Sequence, residues 1–216
     1  MLATSCLAEQ SPAKIVKSKI FVGKSVLDNA NKYLYVREKT NNNDAPEIDK
    51  FLKYHGLGPG FSWCQAFANY NYYEAFLYHN EKTPFPKIAR CSTFARWCLN
   101  QPVRIKVITA KQVLAGAAEP HPGDIANFKH GPYVTKETFT YNGHAAIVIS
   151  YNKITKTVTT IEGNTKPSNQ GDQTGVTKGD LSYGHDGVYI RERSIGLKTK
   201  FPILYFIRPI QQEFIK

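Results

Sequence analysis

Residues 143–164 read GHAAIVISYNKITKTVTTIEGN. Two β-branched, apolar runs, HAAIVISYN and TVTTIEGN, flank a short polar stretch, which is the pattern of a β-hairpin. Antiparallel pairing brings the start of the first strand, His144, beside the end of the second, Glu162 and Asn164. If the second strand stays regular, Glu162 and Asn164 are two residues apart and point to one face. A carboxylate and an amide then converge on one imidazole.

Outward from this hairpin, GDIANF, GVYIRERS and PILYFIRP are further short runs of strand type bounded by Gly, Pro or charged residues. The chain before Pro122 has a different character. SVLDNANKYLYVREK (25–39), PEIDKFLKYHGL (46–57), QAFANYNYYEAFLYHN (65–80) and the stretch 92–99 carry apolar residues at helical intervals. Phe67, Tyr70, Tyr73 and Leu77 predict the buried face of the third helix. Pro46 suits the first turn of the second helix, and Gly56 suits its stop. Helices first and strands second predict an α+β fold, with N-terminal helices packed on a C-terminal antiparallel sheet. Residues 1–20 read as a tail or lead-in and 21–216 as one domain, long enough for a sizeable core. The longest loops are expected at Gly131–Asn142 and Thr165–Gly184, and loops of this length in a compact domain are often functional.

The third helix starts directly behind a turn-rich run, Gly58-Pro59-Gly60-Phe61-Ser62-Trp63-Cys64. A cysteine in the first helical turn faces unpaired backbone N–H groups and the positive end of the helix dipole, both of which favour a thiolate. A cysteine nucleophile also needs a base to take and return a proton, and a third group to orient that base. Cys64, His144 at the rim of its strand, and Glu162 or Asn164 supply those three parts.

The net charge of +11 suits a polyanionic partner, such as nucleic acid, a membrane surface or an anionic cell wall. The basic residues are scattered and no nucleic-acid recognition motif accompanies them, so no nucleic acid is expected. Four cysteines, Cys6, Cys64, Cys91 and Cys98, form no CxxC pair, and no second pair of ligands at metal spacing is evident, so no metal is expected. Cys91 and Cys98 read as buried packing thiols. No apolar stretch long enough for a membrane span occurs. The first ten residues, MLATSCLAEQ, lack the apolar region of an intact secretory signal. Residues Leu2 to Cys6 faintly resemble the end of a lipoprotein signal, which would make Cys6 the lipidated residue; otherwise the segment is a tail.

Three motifs in this order, Phe61-Ser62-Trp63-Cys64-Gln65-Ala66-Phe67, Gly143-His144-Ala145-Ala146-Ile147-Val148 and Ile161-Glu162-Gly163-Asn164, resemble the signatures of the CHAP family. These are the cysteine, histidine-dependent amidohydrolases/peptidases of bacteria and phages. Val36-Arg37-Glu38, Asn43-Asp44-Ala45-Pro46-Glu47, Gly56-Leu57-Gly58 and Pro122-Gly123-Asp124-Ile125 also resemble the family, so the likeness covers roughly residues 30 to 193.

The resemblance implies a papain-like fold and hydrolysis of amide bonds in peptidoglycan, by an amidase or an endopeptidase, through a Cys64 thioester. It implies Cys64 as nucleophile, His144 as base, Glu162 as orienting carboxylate and Asn164 as a further polar contact, with no cofactor. Trp63 and Asp186 are expected to line the substrate groove. The expected partner of a monomeric enzyme is peptidoglycan or its stem peptides, with an immunity or inhibitor protein if the chain is a toxin. The expected place of action is outside the cytoplasm, reached by secretion, a lipid anchor or phage delivery. Gln65, Asn69 and the long segment Lys129–Tyr141 depart from the family pattern and would alter the groove rather than the catalytic residues. Competing readings are a papain-like amidase for a small peptide or polyamine conjugate, and a catalytically silent wall-binding module.

Overall fold

The computed structural model describes residues 19–134, 138–167, 184–210 and 213–215 of the 216. Four helices, α1 (Val22–Asn31), α2 (Pro46–Tyr54), α3 (Cys64–Tyr78) and α4 (Cys91–Leu99), precede a sheet of six strands. A short strand β1 (Lys19–Phe21) comes before them and pairs with β8 (Glu213–Ile215). The sheet comprises β2 (Ile105–Thr109), β3 (Ile125–Lys129), β4 (Gly143–Asn152), β5 (Thr157–Thr165), β6 (Gly187–Ser194) and β7 (Ile203–Pro209), with α5 (Ala110–Leu114) following β2. The strand order is β2-β7-β3-β4-β5-β6 and every pairing is antiparallel. The α+β class read from the sequence is the class observed.

The β4–β5 hairpin explains its own sequence. Ile147 pairs with Ile161 and Tyr151 with Val158. Ala145, Ile147 and Ile161 belong to the core beneath the helices, whereas Ala146, Val148 and Val158 belong to a second core on the other face, with Val113 of α5 and Phe206 of β7. Both faces of β4 are therefore buried, and its sequence is an unbroken apolar run rather than an alternation.

α3 lies between α1, α2 and the β4–β5 hairpin. Every residue from Cys64 to Tyr72 is consequently buried, and the apolar stripe expected from the sequence widens to the whole circumference. Leu77, expected on that stripe, is 51% exposed. Phe51, Trp63, Phe67 and Tyr70 form a continuous aromatic cluster with centroid separations of 5.2–6.2 Å, a spacing typical of tilted and edge-on ring packing.

Two local differences from the sequence reading have physical causes. α1 ends at Asn31 instead of continuing to Lys39. The sheet edge captures the following backbone: Arg37 bridges to Gly187, the Glu38 N–H donates to the Asp186 carbonyl (2.8 Å), and the Val188 N–H to the Val36 carbonyl (3.0 Å). The second is α5, whose start is a capping box in which Thr109 and Gln112 bond each other's backbone N–H. The expected tail lies outside the described residues apart from Lys19 and Ile20, as do Cys6, residues 135–137 of one expected loop and residues 168–183 of the other.

Candidate active site

The backbone turns into α3 at Trp63, and no side chain caps the helix. The first helical hydrogen bond runs from the Phe67 N–H to the Trp63 carbonyl (2.7 Å), so the Cys64 N–H has no partner within the helix. Cys64 thus presents a thiol where the helix favours negative charge. His144 is the second residue of β4, and its ring faces the same cleft as the Cys64 thiol, close enough for each group to shift the other's ionisation.

On the other side of the ring, His144 Nε2 donates to Glu162 Oε2 at 2.9 Å. This contact leaves Nδ1 as the nitrogen that faces sulfur. Glu162 is fully buried, yet its oxygens are well supplied with donors. Thr160 Oγ1 and Arg193 Nε each donate to Oε1 at 2.7 Å, and Arg193 Nη2 joins His144 at Oε2. β5 and β6 bring these groups together, since Val158 pairs with Arg193 across the sheet. Arg193 did not emerge from the sequence as part of the site. The signal was available only as the alternation of GVYIRERS, which places alternate side chains on the Glu162 face once the pairing is known.

The electrostatics follow from these contacts. Burial opposes ionisation of Glu162, but the Arg193 and His144 hydrogen bonds and charges overcome it and hold the carboxyl below its usual range. Burial likewise disfavours a charged imidazole, but the bonds and charges of Cys64 and Glu162 prevail and raise His144 to about 10. The Cys64 thiol is held well below its ordinary value, chiefly by a hydrogen bond from Cys91 and then by His144 and the Ala145 N–H, against the effect of burial. These shifts move the pair toward a thiolate beside an imidazolium.

Two expectations are corrected. Asn164 does not converge on the imidazole. β5 shifts register between Glu162 and Thr165, and Asn164 sits in the left-handed region at φ 58°, which asparagine tolerates better than most residues. The regular two-residue alternation fails there, and the Asn164 amide instead donates to Asn43 Oδ1 (2.8 Å) and Glu38 Oε1 (3.1 Å). Trp63 lines no groove. It is fully buried, and its indole N–H donates to Glu38 Oε1 at 2.9 Å. Glu38 therefore ties the start of α3, the end of β5 and, through the Asn43 N–H (2.9 Å), the loop before α2. Cys91 is buried in the core as expected, and its sulfur lies 3.8 Å from that of Cys64. Cys98 is a deep thiol, pushed up by burial, and keeps its structural reading.

A cleft of about 540 Å³ opens over Cys64 and His144. Asp186, expected in the groove, is on its wall, with Lys166, Arg191 and His130 nearby. Among the described residues, no group of three or more His, Cys, Asp or Glu side chains is placed to hold a metal ion.

A CHAP domain family model matches residues 56–164, which begin just ahead of the Cys64 turn and end at Asn164. No curated protein and no solved structure matches the chain. The matched half of the chain contains Cys64, His144 and Glu162 in the family's order, and the chain belongs to the CHAP domain family, a family of cysteine/histidine amidohydrolases and peptidases that commonly act on peptidoglycan.

Proposed function

We propose that this protein hydrolyses amide bonds of peptidoglycan, with Cys64 as nucleophile, His144 as acid and base, and Glu162 as the carboxylate that orients and charges the imidazole. The observation that carries this reading is the placement of His144 between the two others: beside the Cys64 thiol at the cleft on one side and 2.9 Å from Glu162 on the other. The Cys64 thiolate adds to the amide carbonyl carbon. The resulting oxyanion forms beside the Cys64 N–H, which has no partner within α3. Imidazolium His144 gives its proton to the departing amine as the C–N bond breaks, leaving a thioester. Neutral His144 then takes a proton from water, whose oxygen attacks the thioester; the C–S bond breaks, the acid leaves, and the Cys64 thiolate and imidazolium His144 are restored.

The cleft supports a peptide substrate, because Lys166 and Arg191 suit carboxylates and Asp186 suits an amine. The net charge of +11 favours residence near an anionic wall outside the cytoplasm. The test is digestion of purified peptidoglycan followed by mass spectrometry of the soluble fragments. Release of stem peptides identifies an amidase, and cleavage within them an endopeptidase, with Cys64→Ala inactive in either case. Intact peptidoglycan alongside turnover of soluble peptides overturns the wall substrate. No turnover of either substrate, with the fold intact, makes the chain a silent module.

A further inference from the structure

The Cys64–Cys91 contact joins the first residues of two different helices. Cys64 opens α3 and Cys91 opens α4, and neither helix has a side-chain cap. The two sulfurs lie 3.8 Å apart, both cysteines are free, and their exposures are 6% and 5%. Cys91 is also firmly placed. Its carbonyl accepts from Asn127 Nδ2 on β3 (3.1 Å), and the Tyr141 hydroxyl fixes that amide by donating to Asn127 Oδ1 (2.7 Å). A Cβ on Gly143 would lie 3.2 Å from the Cys91 Cβ, so Cys91 packs directly under the strand end that carries His144.

We infer that Cys91 is a resolving cysteine, which captures Cys64 as a reversible Cys64–Cys91 disulfide when a peroxide oxidises the nucleophile. This deepens the proposed hydrolase function, because the disulfide masks the sulfur that reading requires. Sulfur atoms in contact need a closure of less than about 2 Å to reach a bonded separation of roughly 2.05 Å.

The chemistry is ordered by charge. The Cys64 thiolate attacks one oxygen of hydrogen peroxide; an S–O bond forms, the O–O bond breaks, and the departing hydroxide takes the imidazolium proton of His144 as water. Cys64 is now a neutral sulfenic acid. While Cys64 is a thiolate, its hydrogen bond and its charge hold the Cys91 thiol protonated, together with burial. Oxidation of Cys64 removes that charge, and neutral His144 is ready to accept a proton. The Cys91 sulfur loses its proton, attacks Cys64 Sγ and displaces the hydroxyl, which leaves as water after protonation. Two thiols and one peroxide give one disulfide and two waters, with two electrons passing from sulfur to oxygen. A dithiol reverses the step by exchange. Cys98 is on the same helix as Cys91 but has no sulfur partner among the described residues and is held protonated by burial, which makes it an internal control.

The experiment treats the reduced full chain with a several-fold molar excess of hydrogen peroxide, alkylates it with iodoacetamide and maps its peptides by mass spectrometry. The expected result is a cross-linked peptide pair containing Cys64 and Cys91, at two mass units below the two free peptides, converted back to free thiols by dithiothreitol. Cys91→Ser under the same conditions should instead carry Cys64 to the sulfinic acid, about 32 mass units heavier, which dithiothreitol does not reverse. Cys98→Ser should form the cross-link as the wild type does. Sulfinic Cys64 in the wild type without a Cys64–Cys91 peptide overturns the proposal, as does a cross-link from Cys64 to Cys98 or Cys6 in its place. The wild-type map needs no variant, so the test survives a failure of Cys91→Ser to fold. The readout is also independent of hydrolysis: a cross-link in a protein that cleaves no amide supports the thiol pair and counts against the hydrolase reading, and the converse result separates them in the other direction.

Discussion

His144 Nε2 donates to Glu162 Oε2 across 2.9 Å, from a ring that is slightly exposed to a carboxylate that is not exposed at all. This bond assigns the ring its tautomer, turns Nδ1 toward Cys64, and places a negative charge where an imidazolium forms. Glu162→Gln retains a hydrogen-bonding group of the same shape but removes the charge and permits the wrong tautomer. Turnover should fall by ~10²-fold or more, by analogy with other triad carboxylates. Circular dichroism establishes that the variant is folded before rates are compared.

The same contact sets the pH dependence. The active pair is thiolate with imidazolium, so activity is lost at low pH as Cys64 takes up a proton and at high pH as His144 gives one up. Cys64 is held below its ordinary value and His144 is raised to about 10, so kcat/KM should show a broad plateau through neutral pH. Glu162 is one of the groups that raises His144. Glu162→Gln should therefore move the alkaline limb to lower pH while leaving residual activity on the plateau. An unmoved alkaline limb would mean that the carboxylate does not stabilise the imidazolium.

Asn164 offers the contrasting case. Its amide holds Glu38 and Asn43 rather than the imidazole. Asn164→Gly removes the amide and keeps the left-handed backbone, which glycine adopts without cost from a Cβ. The loss of these bonds should destabilise the protein by about 1–3 kcal/mol, measurable by urea unfolding, and the alkaline limb of kcat/KM should stay in place. A shift of that limb comparable to the one from Glu162→Gln would return Asn164 to the imidazole.

The hairpin, the α+β order and the meeting of His144 with Glu162 were legible because each depends on local pattern and antiparallel pairing. The fate of Asn164 was not, since one residue at φ 58° breaks the two-residue alternation and nothing in Glu-Gly-Asn distinguishes a strand end from a bulge. Trp63 stands next to the nucleophile in sequence, and only the buried Glu38, 25 residues earlier, shows what its indole N–H bonds. Cys91 and Arg193 are matters of tertiary assembly. Each is unremarkable within its own segment and acquires meaning from α4 and β6 docking beside α3 and β5.

Arg193 tests the far side of the Glu162 bond. It contributes two hydrogen bonds to a carboxylate with no exposure, and its own side chain is 26% exposed. Arg193→Ala leaves Glu162 charged with less compensation, a change that costs roughly 3–5 kcal/mol for a buried pair. Arg193 also helps keep the Glu162 carboxyl below its usual range, so its removal raises the pH at which Glu162 takes up a proton and narrows the active plateau from the acid side. Thermal unfolding and the acid limb of kcat/KM measure the two effects separately. A variant as stable as the wild type, with an unchanged acid limb, would reduce Arg193 to a surface pair.

Gly163 separates Glu162 from Asn164 and lies against the helix that carries Cys64. A Cβ built there meets Trp63 Cζ3 at 2.5 Å, Phe67 Cγ at 2.8 Å and Phe67 Cβ at 2.9 Å. Trp63 and Phe67 are themselves fully buried and packed on each other and on Phe51, so neither ring has free space to move into. Gly163→Ala must therefore push β5 away from the start of α3. Overpacking of this kind costs about 1–3 kcal/mol, and the displacement acts on the two elements that hold Glu162 and Cys64. The expected outcome is a folded variant with lowered urea stability and a fall in kcat larger than any rise in KM, because groups that must align are separated while the cleft walls stay in place. Adding Phe67→Leu to Gly163→Ala makes room for the methyl group and should recover part of the lost kcat. If Gly163→Ala matched the wild type in both stability and kcat, the close packing of β5 on α3 would have no part in aligning the candidate site.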